Sequence, residues 1–207
     1  PYPALSEKDA NIDLEQTFIP LINACQALKE QSFQGTFWFA SSVAVYGKTE
    51  NKVQKEEDKC HPLSNYAFIK LAGEEFIDMF YRTTKINCGS FRIFSTFGPE
   101  LQRQVVFDIF NKITNNPKEI SLLGSGFEVR DLSFVEDQVE RIKLISDNIE
   151  PKGNVYNIGS GDPVSTRELA ELMVKIMKKE TEIIFSNKKR SFDGSSWIAS
   201  MEKLEAI

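Results

Sequence analysis

Apolar residues recur every three or four positions through residues 14–29, where Phe18, Leu21, Ile22, Cys25 and Leu28 fall on one side of a helix. Gly35-Thr36 then introduces Phe37-Trp38-Phe39-Ala40, a short apolar run of the kind buried in a parallel sheet. Residues 48–63 are charged and polar and read as an exposed loop. Helical spacing returns at Tyr66 and runs to about Arg82, and a second apolar run follows over residues 87–94. Helix, strand, helix, strand in that order predicts a doubly wound α/β architecture.

The pattern loosens after Gly98-Pro99. Residues 104–115 read as a helix with Val105, Ile109 and Ile113 on one side, 120–123 as a strand, and 135–148 as another helix. Residues 154–158 are strand-like and run into Gly159-Ser160-Gly161. Ser165 with Glu168 fits a capping box for a helix over 167–179. A last strand is expected at 182–185 and a short helix at 201–207. The clusters Gly124-Ser125-Gly126 and Gly159-Ser160-Gly161 match neither G-x-x-x-x-G-K-[ST] nor G-x-G-x-x-G, so both read as tight turns. The second joins a strand to a helix and leaves a weak anion contact open. No internal repeat or low-complexity linker is visible.

The 207 residues suffice for one substantial core, or for one domain with a smaller lobe. The net charge of −5 argues against a nucleic-acid partner, whose binding face is normally basic, and the one basic run is Lys188-Lys189-Arg190. No apolar stretch reaches the length of a membrane span, and no signal peptide opens the chain. Cys25, Cys60 and Cys88 lack Cys-x-x-Cys spacing and read as reduced packing residues of a cytoplasmic protein. The single histidine, His61, follows Cys60, and two adjacent side chains do not make a tetrahedral site, so no metal is expected.

The candidate chemistry lies in Tyr66 and Lys70. Four residues apart on a helix they share a face, so the ammonium can sit near the phenol. A phenol with an ordinary pKa of about 10 is a poor base at neutral pH, and a neighbouring cation lowers that value. Ser42, at the end of the first apolar run, is placed to hold a substrate oxygen beside Tyr66. Such a pair is also what an aromatic residue and a snorkelling lysine look like on a half-buried helix. The surrounding residues separate the two readings.

The segment Ser64-Asn65-Tyr66-Ala67-Phe68-Ile69-Lys70-Leu71-Ala72-Gly73-Glu74-Glu75 resembles the active-site helix of extended short-chain dehydrogenases/reductases, the NAD-dependent epimerase/dehydratase family that acts on nucleotide sugars. Ser41-Ser42-Val43-Ala44-Val45-Tyr46-Gly47 resembles that family's serine-bearing strand end, in the right order and 24 residues earlier, counted from Ser42 to Tyr66. The stretches 91–99 and 124–137 resemble the strand beside nicotinamide and substrate and the segment whose arginine reaches the nucleotide diphosphate.

The resemblance implies a partial doubly wound, Rossmann-like parallel sheet with a smaller C-terminal α/β substrate lobe. Residues 1–99 would form the later part of the dinucleotide domain, and residues 100–207 mainly the substrate lobe, with some segments returning to the sheet. It implies Ser42, Tyr66 and Lys70 as catalytic residues and Ala40, Ser41, Tyr66, Lys70 and Phe94 as contacts to NAD, with NADP left open. Ser42, Val43, Ser95 and Arg130 would contact a nucleotide-sugar substrate. Helices 14–29 and 66–82 resemble those that pair into a four-helix homodimer interface.

Some positions depart from the family pattern. No glycine precedes Gly35, so the glycine-rich dinucleotide fingerprint of the first strand–helix turn is absent; a molecule beginning at Pro1 is expected to bind NAD poorly and to be inactive. Ser95 and Thr17 stand where relatives commonly have asparagine, and Ile69 where they have serine. Family dehydratases carry an Asp-Glu pair directly after the serine or threonine, whereas Val43 and Ala44 can neither give nor take a proton. A 4-epimerase working through a transient keto sugar is therefore expected, with a 4-keto reductase as the alternative. A non-catalytic NAD-binding relative and a pure interaction module stand as readings from other classes. A serine hydrolase is disfavoured, since Gly-x-Ser-x-Gly is absent and His61 is the only available base.

Overall fold

The computed structural model describes residues 6, 7, 9, 11–49, 53–188 and 196–207. The opening Pro1-Tyr2-Pro3 and the basic pair Lys189-Arg190 lie outside them. The first helix begins as a turn at Asn11–Asp13, passes through a π-helical segment at Leu14–Phe18, and continues as α1, Ile19–Glu30. Strand β1, Phe37–Ser42, ends in a 3-10 turn at Val43–Tyr46. A two-residue strand β2 follows at Val53–Gln54. Helix α2, Asn65–Thr84, is capped by Ser64, whose hydroxyl accepts from the Ala67 amide, and is closed by Lys85 in the left-handed region.

Strand β3, Cys88–Ile93, pairs in parallel with β1 on one side and with β7, Val155–Ile158, on the other. This gives a three-stranded sheet in the order β1-β3-β7. Helices α1 and α2 cover one face of it, with Leu21, Cys25, Phe39, Ile77, Phe80 and Cys88 packed as a core. Phe91, Ile145, Tyr156 and Ile158 form a separate core with α4, Val135–Asn148. Parallel strands covered by helices are the α/β class expected from the sequence.

A second sheet is built from β2, from β4 at Ser95–Phe97, from β6 at Val129–Phe134, from β8 at Pro163–Ser165 and from β10 at Ser196–Ala199. Its order is β2-β10-β6-β4, with β8 antiparallel to β6. A parallel pair, β5 at Glu119–Leu122 and β9 at Glu182–Phe185, carries α3, Gln104–Asn115, and α5, Thr166–Ile176. Ile109, Ile113, Ile120, Leu122 and Ala170 are the core of this smaller unit. The capping box of Ser165 and Glu168 is formed, and α5 ends at Ile176, three residues short of the expected boundary. A short α6, Glu202–Glu205, closes the chain.

Within the stretch expected as an exposed loop at 48–63, residues 54–56 turn inward, while Lys48, Glu57, Lys59 and His61 are exposed as expected. Gln54 is fully buried, and the Glu56 carboxylate accepts the Asn157 amide at 2.9 Å. Gly47 has φ of +58°, and a Cβ there would meet the His61 carbonyl oxygen at 1.6 Å, so glycine is required where the chain turns against itself. The two glycine clusters are turns built around internal anions. Glu128 accepts the Ser125 and Gly126 amides, and Asp131 accepts those of Ser160 at 2.7 Å and Gly161 at 2.9 Å. The anion that the second cluster could hold is thus the protein's own carboxylate. No helix among the described residues is long and apolar enough to cross a membrane.

One buried ion pair ties the first sheet to its covering helix. Arg92 of β3 and Glu74 of α2 meet at 2.7 Å with side chains 6% and 3% exposed, and Glu74 also accepts the Ser41 hydroxyl of β1. The Arg92 guanidinium donates further to the Glu56 carbonyl at 3.0 Å and lies 4.7 Å from the Tyr46 ring centroid. Removing one member strands a desolvated charge. Glu74→Gln is therefore expected to lower unfolding stability by roughly 3–5 kcal/mol in urea titrations, and Arg92→Met with Glu74→Leu to recover most of the loss. A midpoint unchanged by the single substitution would show that the pair is not a structural tie.

Candidate active site

Tyr66, Lys70 and Glu74 follow at four-residue intervals on α2 and present one face to the end of β1. Each meets a different β1 residue. The Ser42 side chain lies close enough to the Tyr66 phenol to favour its anion, Lys70 Nζ donates to the Ala40 carbonyl at 2.7 Å, and Glu74 accepts from Ser41. The Ser42 oxygen accepts the Ala44 amide at 3.3 Å, which leaves its own hydrogen free to donate to the phenol. The site lies at the carboxyl end of a parallel strand, where ligands of open α/β sheets collect.

Burial dominates the protonation of both groups. It pushes the Tyr66 phenol above its ordinary value; the Ser42 hydrogen bond and the Arg103 charge oppose this, and Asp13 adds to it. Burial likewise pushes the Lys70 amine down, against the opposing charge of Asp13. The sequence argument assigned Lys70 the part of lowering the Tyr66 pKa. In the structure the ammonium turns to the Ala40 carbonyl, 5.8 Å from the Tyr66 ring centroid, and the phenol is held up by desolvation.

The structure brings Ser42, Tyr66, Lys70 and the exposed Ala40 together and directs other expected contacts elsewhere. The Ser41 side chain is engaged with Glu74 and is 4% exposed. Val43 and Phe94 are buried side by side with Val45, Tyr46 and Ala199, so their side chains belong to a core and do not line the site. Ser95 is half-buried at the start of β4, opposite Leu132.

Arg130 lies on β6 with Leu132 and Phe134 on the same strand face, because alternate residues share a side. Its guanidinium donates to the Val129 carbonyl at 3.0 Å and sits 5.5 Å from the Trp197 ring centroid. The neighbouring acids Glu128 and Asp131 are occupied by backbone amides.

Leu132 and Phe134 also line a cavity of about 320 Å³, together with Thr96, Phe97, Phe107 and Arg103. Arg103 joins this cavity to the tyrosine, since its charge reaches the phenol. Arg103 and Asp13 were not found by motif. Asp13 carried one signal, as the polar member of a buried stripe that continues with Thr17, Leu21 and Cys25 at four-residue intervals.

A family model described as the NAD dependent epimerase/dehydratase family matches residues 2–159. The chain is 29% identical over 177 residues to an uncharacterized UDP-glucose epimerase of Bacillus subtilis strain 168, covering 86% of this chain and 54% of that protein. It is also 29% identical over 191 residues to the GDP-6-deoxy-D-mannose reductase of Pseudomonas aeruginosa, covering 86% and 60% respectively. A solved UDP-glucose 4-epimerase of Thermus thermophilus, in complex with NAD, superposes with a TM-score of 0.87 at 24% identity, over 99% of this chain and 67% of the other. The chain spans between half and two thirds of the length of these curated relatives.

The electrostatics generate one measurement. The Tyr66 phenol is expected to titrate above the ordinary tyrosine value, and Ser42→Ala to raise it further by up to about one unit, the worth of one lost hydrogen bond. Ultraviolet tyrosinate titration with Tyr66→Phe as the blank reads both. A midpoint that falls in Ser42→Ala would show that the serine does not donate to the phenol.

Proposed function

This chain belongs to the NAD dependent epimerase/dehydratase family, and from that premise we propose that it supplies the catalytic and substrate-binding parts of a nucleotide-sugar 4-epimerase. Residues 1–99 then form the later part of a dinucleotide-binding domain, and residues 100–207 mainly a substrate lobe. The observation that carries the reading is the meeting of Ser42, Tyr66 and Lys70 at the end of β1.

The nicotinamide end of NAD fits these residues. Ala40 is exposed, the strand end is made of small residues, and the Lys70 ammonium lies across it where a ribose hydroxyl can accept its hydrogen bond. Bound there, NAD would supply the hydride acceptor for the sugar carbon and the hydride donor for its return. Tyr66 takes the proton of the sugar hydroxyl and gives it back to the keto oxygen after the ring has turned its other face. Ser42 donates to the reacting oxygen and holds it at the phenol. The cavity beside Phe97, Phe107 and Phe134 accepts the planar base, and Arg130, on the same strand face, forks onto the diphosphate.

Val43, Ala44 and the buried environment after Ser42 supply no acid or base for eliminating water, which supports epimerisation over dehydration. Epimerisation is redox-neutral overall, whereas the alternative, a 4-keto reductase, consumes one reduced cofactor per turnover. The full-length protein with a UDP-hexose is expected to interconvert the C4 epimers without net change in reduced-cofactor absorbance. Tyr66→Phe is expected to lower turnover by about 10²–10⁴-fold. Stoichiometric loss of reduced cofactor on a keto sugar would favour the reductase, and unchanged turnover in Tyr66→Phe would remove the mechanism.

The three free thiols accord with a reducing cytoplasmic setting. The same two helices carry an exposed apolar face, with Ile19 43% and Ile22 37% exposed on α1, and Phe68 59% and Met79 38% exposed on α2. Phe68 and Met79 are eleven residues apart, three turns, and so lie on one side of α2. These faces pair with a second copy as a four-helix homodimer across a two-fold axis. Sedimentation is expected to give twice the chain mass, and Phe68→Glu to give a folded monomer. A wild-type monomer at micromolar concentration would dismiss the dimer.

A further inference from the structure

The cavity beside Phe97 and Phe134 lies just past the strand ends that carry the site. Ser42 pairs in register with Ile93, the chain continues from Ile93 into β4, and Phe97 of β4 pairs with Phe134 of β6. Two non-glycine residues, Glu100 at φ +67° and Gln104 at φ +69°, bracket the segment that brings Leu101 and Arg103 into the cavity wall. Left-handed backbone at such residues is strained and concentrates where ligands are clamped. The wall is nearly all apolar. Val105, Val106, Phe107, Leu132 and Met173 carry no strong hydrogen-bonding side chain, and among the described residues of the lining only Thr96, Arg103 and Gln104 do. Thr96 is already committed, since its hydroxyl donates to the Phe94 carbonyl at 3.2 Å and accepts from Gln138 Nε2 at 3.3 Å. Arg103 and Gln104 stand exposed at the start of α3, toward the mouth.

We propose that this cavity chooses its nucleotide by apolar contact and favours thymine over uracil, so that the preferred substrate is a sugar linked to a thymine-bearing nucleoside diphosphate. The inference rests on the placement of the planar base in this cavity and adds which base it is. A pocket that hydrogen-bonds the polar edge of its ligand rejects analogues by many orders of magnitude, whereas an apolar pocket discriminates through the area it removes from water. Thymine and uracil present the same two carbonyls and ring N–H and differ by the methyl at C5. A backbone amide in the first turn of α3 meets a carbonyl of either base equally well, so the methyl decides. Against valine, leucine, phenylalanine and methionine side chains that methyl leaves water, which is worth about fourfold in affinity. The wall therefore grades bases by apolar area and does not exclude uracil.

The test is calorimetric titration of the full-length protein with dTDP and with dUDP, which differ only by that methyl. The expected result is tighter binding of dTDP by about threefold to tenfold, with a more negative heat-capacity change, the mark of extra apolar burial. Equal affinities, or dUDP the tighter, would overturn the inference and leave the epimerase mechanism standing. Val106→Trp, which fills the cavity from the half-buried side of α3, is expected to weaken both nucleotides at least tenfold. Binding unchanged by that substitution would put the base elsewhere and overturn the proposal. If Val106→Trp does not fold, Leu132→Phe fills the same space from β6 and is read in the same way. Binding of neither nucleotide would remove both this inference and the placement of the base on which it rests. The titrations need no turnover, so a protein that prefers dTDP yet turns over normally as Tyr66→Phe would lose the mechanism and keep the base preference.

Discussion

The geometry of the site depends on the buried contact of Arg92, Glu74 and Ser41. Arg92 grips Glu74 through three short donor–acceptor contacts of 2.7–3.1 Å, and Ser41 donates to the same carboxylate from the neighbouring strand. A charge pair this deep is tolerated because nearly every polar atom is answered. Glu74 lies one turn beyond Lys70 and two beyond Tyr66, and Ser41 precedes Ser42. Fixing one rung of the helix-to-strand ladder therefore fixes the register of the other two. An electrostatic contact with no reacting atom sets where the reacting hydroxyls meet.

The same network reaches the far side of the sheet. Arg92 packs on the Tyr46 ring, and the Tyr46 hydroxyl donates to Asn157 Oδ1 at 2.8 Å, with the Lys55 carbonyl also in reach at 3.0 Å. Asn157 Nδ2 donates to the Gln54 carbonyl at 2.9 Å, and the Ile198 amide donates to Gln54 Oε1 at 2.7 Å. Strand β2, only two residues long, is held by side-chain amides as well as by its ladder to β10. Burial raises the Tyr46 phenol against the opposing pull of Arg92 and Asn157, which suits a structural hydroxyl that only donates. Tyr46 and Tyr66, the first two tyrosines after Ser42, thus have different tasks: one locks the core, and the other faces the site.

These networks also explain what was legible in the sequence. Helix 104–115 was read to the residue because its apolar stripe is clean, and the capping box was visible because it is local. Strand β6 escaped because its polarity is inverted: Asp131 and Ser133 are buried at 1% and 2% exposed, Asp131 held inward by turn amides, while Arg130 and Leu132 are half-buried. A rule that puts apolar residues inside cannot find such a strand. Strand β2 escaped for the related reason that its buried residue is Gln54. Ser42, Tyr66 and Lys70 were legible as a cluster because helical spacing puts two of them on one face and the third ends the strand that this face meets. Arg103 and Asp13 were not, because their part depends on where distant segments bring a charge.

The opposing charges around Tyr66 bear on what the site must do. An epimerase asks one phenol to accept a proton in the first half of the cycle and to donate it in the second. A phenol lowered far below neutral pH would accept readily and return poorly; one far above would do the reverse. Burial and Asp13 favour the protonated form, whereas Ser42 and Arg103 favour the phenolate. Arg103 lines the cavity beside Phe107 and Phe134, so one of the charges favouring the phenolate comes from the segment that borders it. The balance can therefore tilt toward proton acceptance when that cavity fills and relax when it empties. A tyrosine tuned only by its lysine neighbour would have no such dependence on the segment before α3.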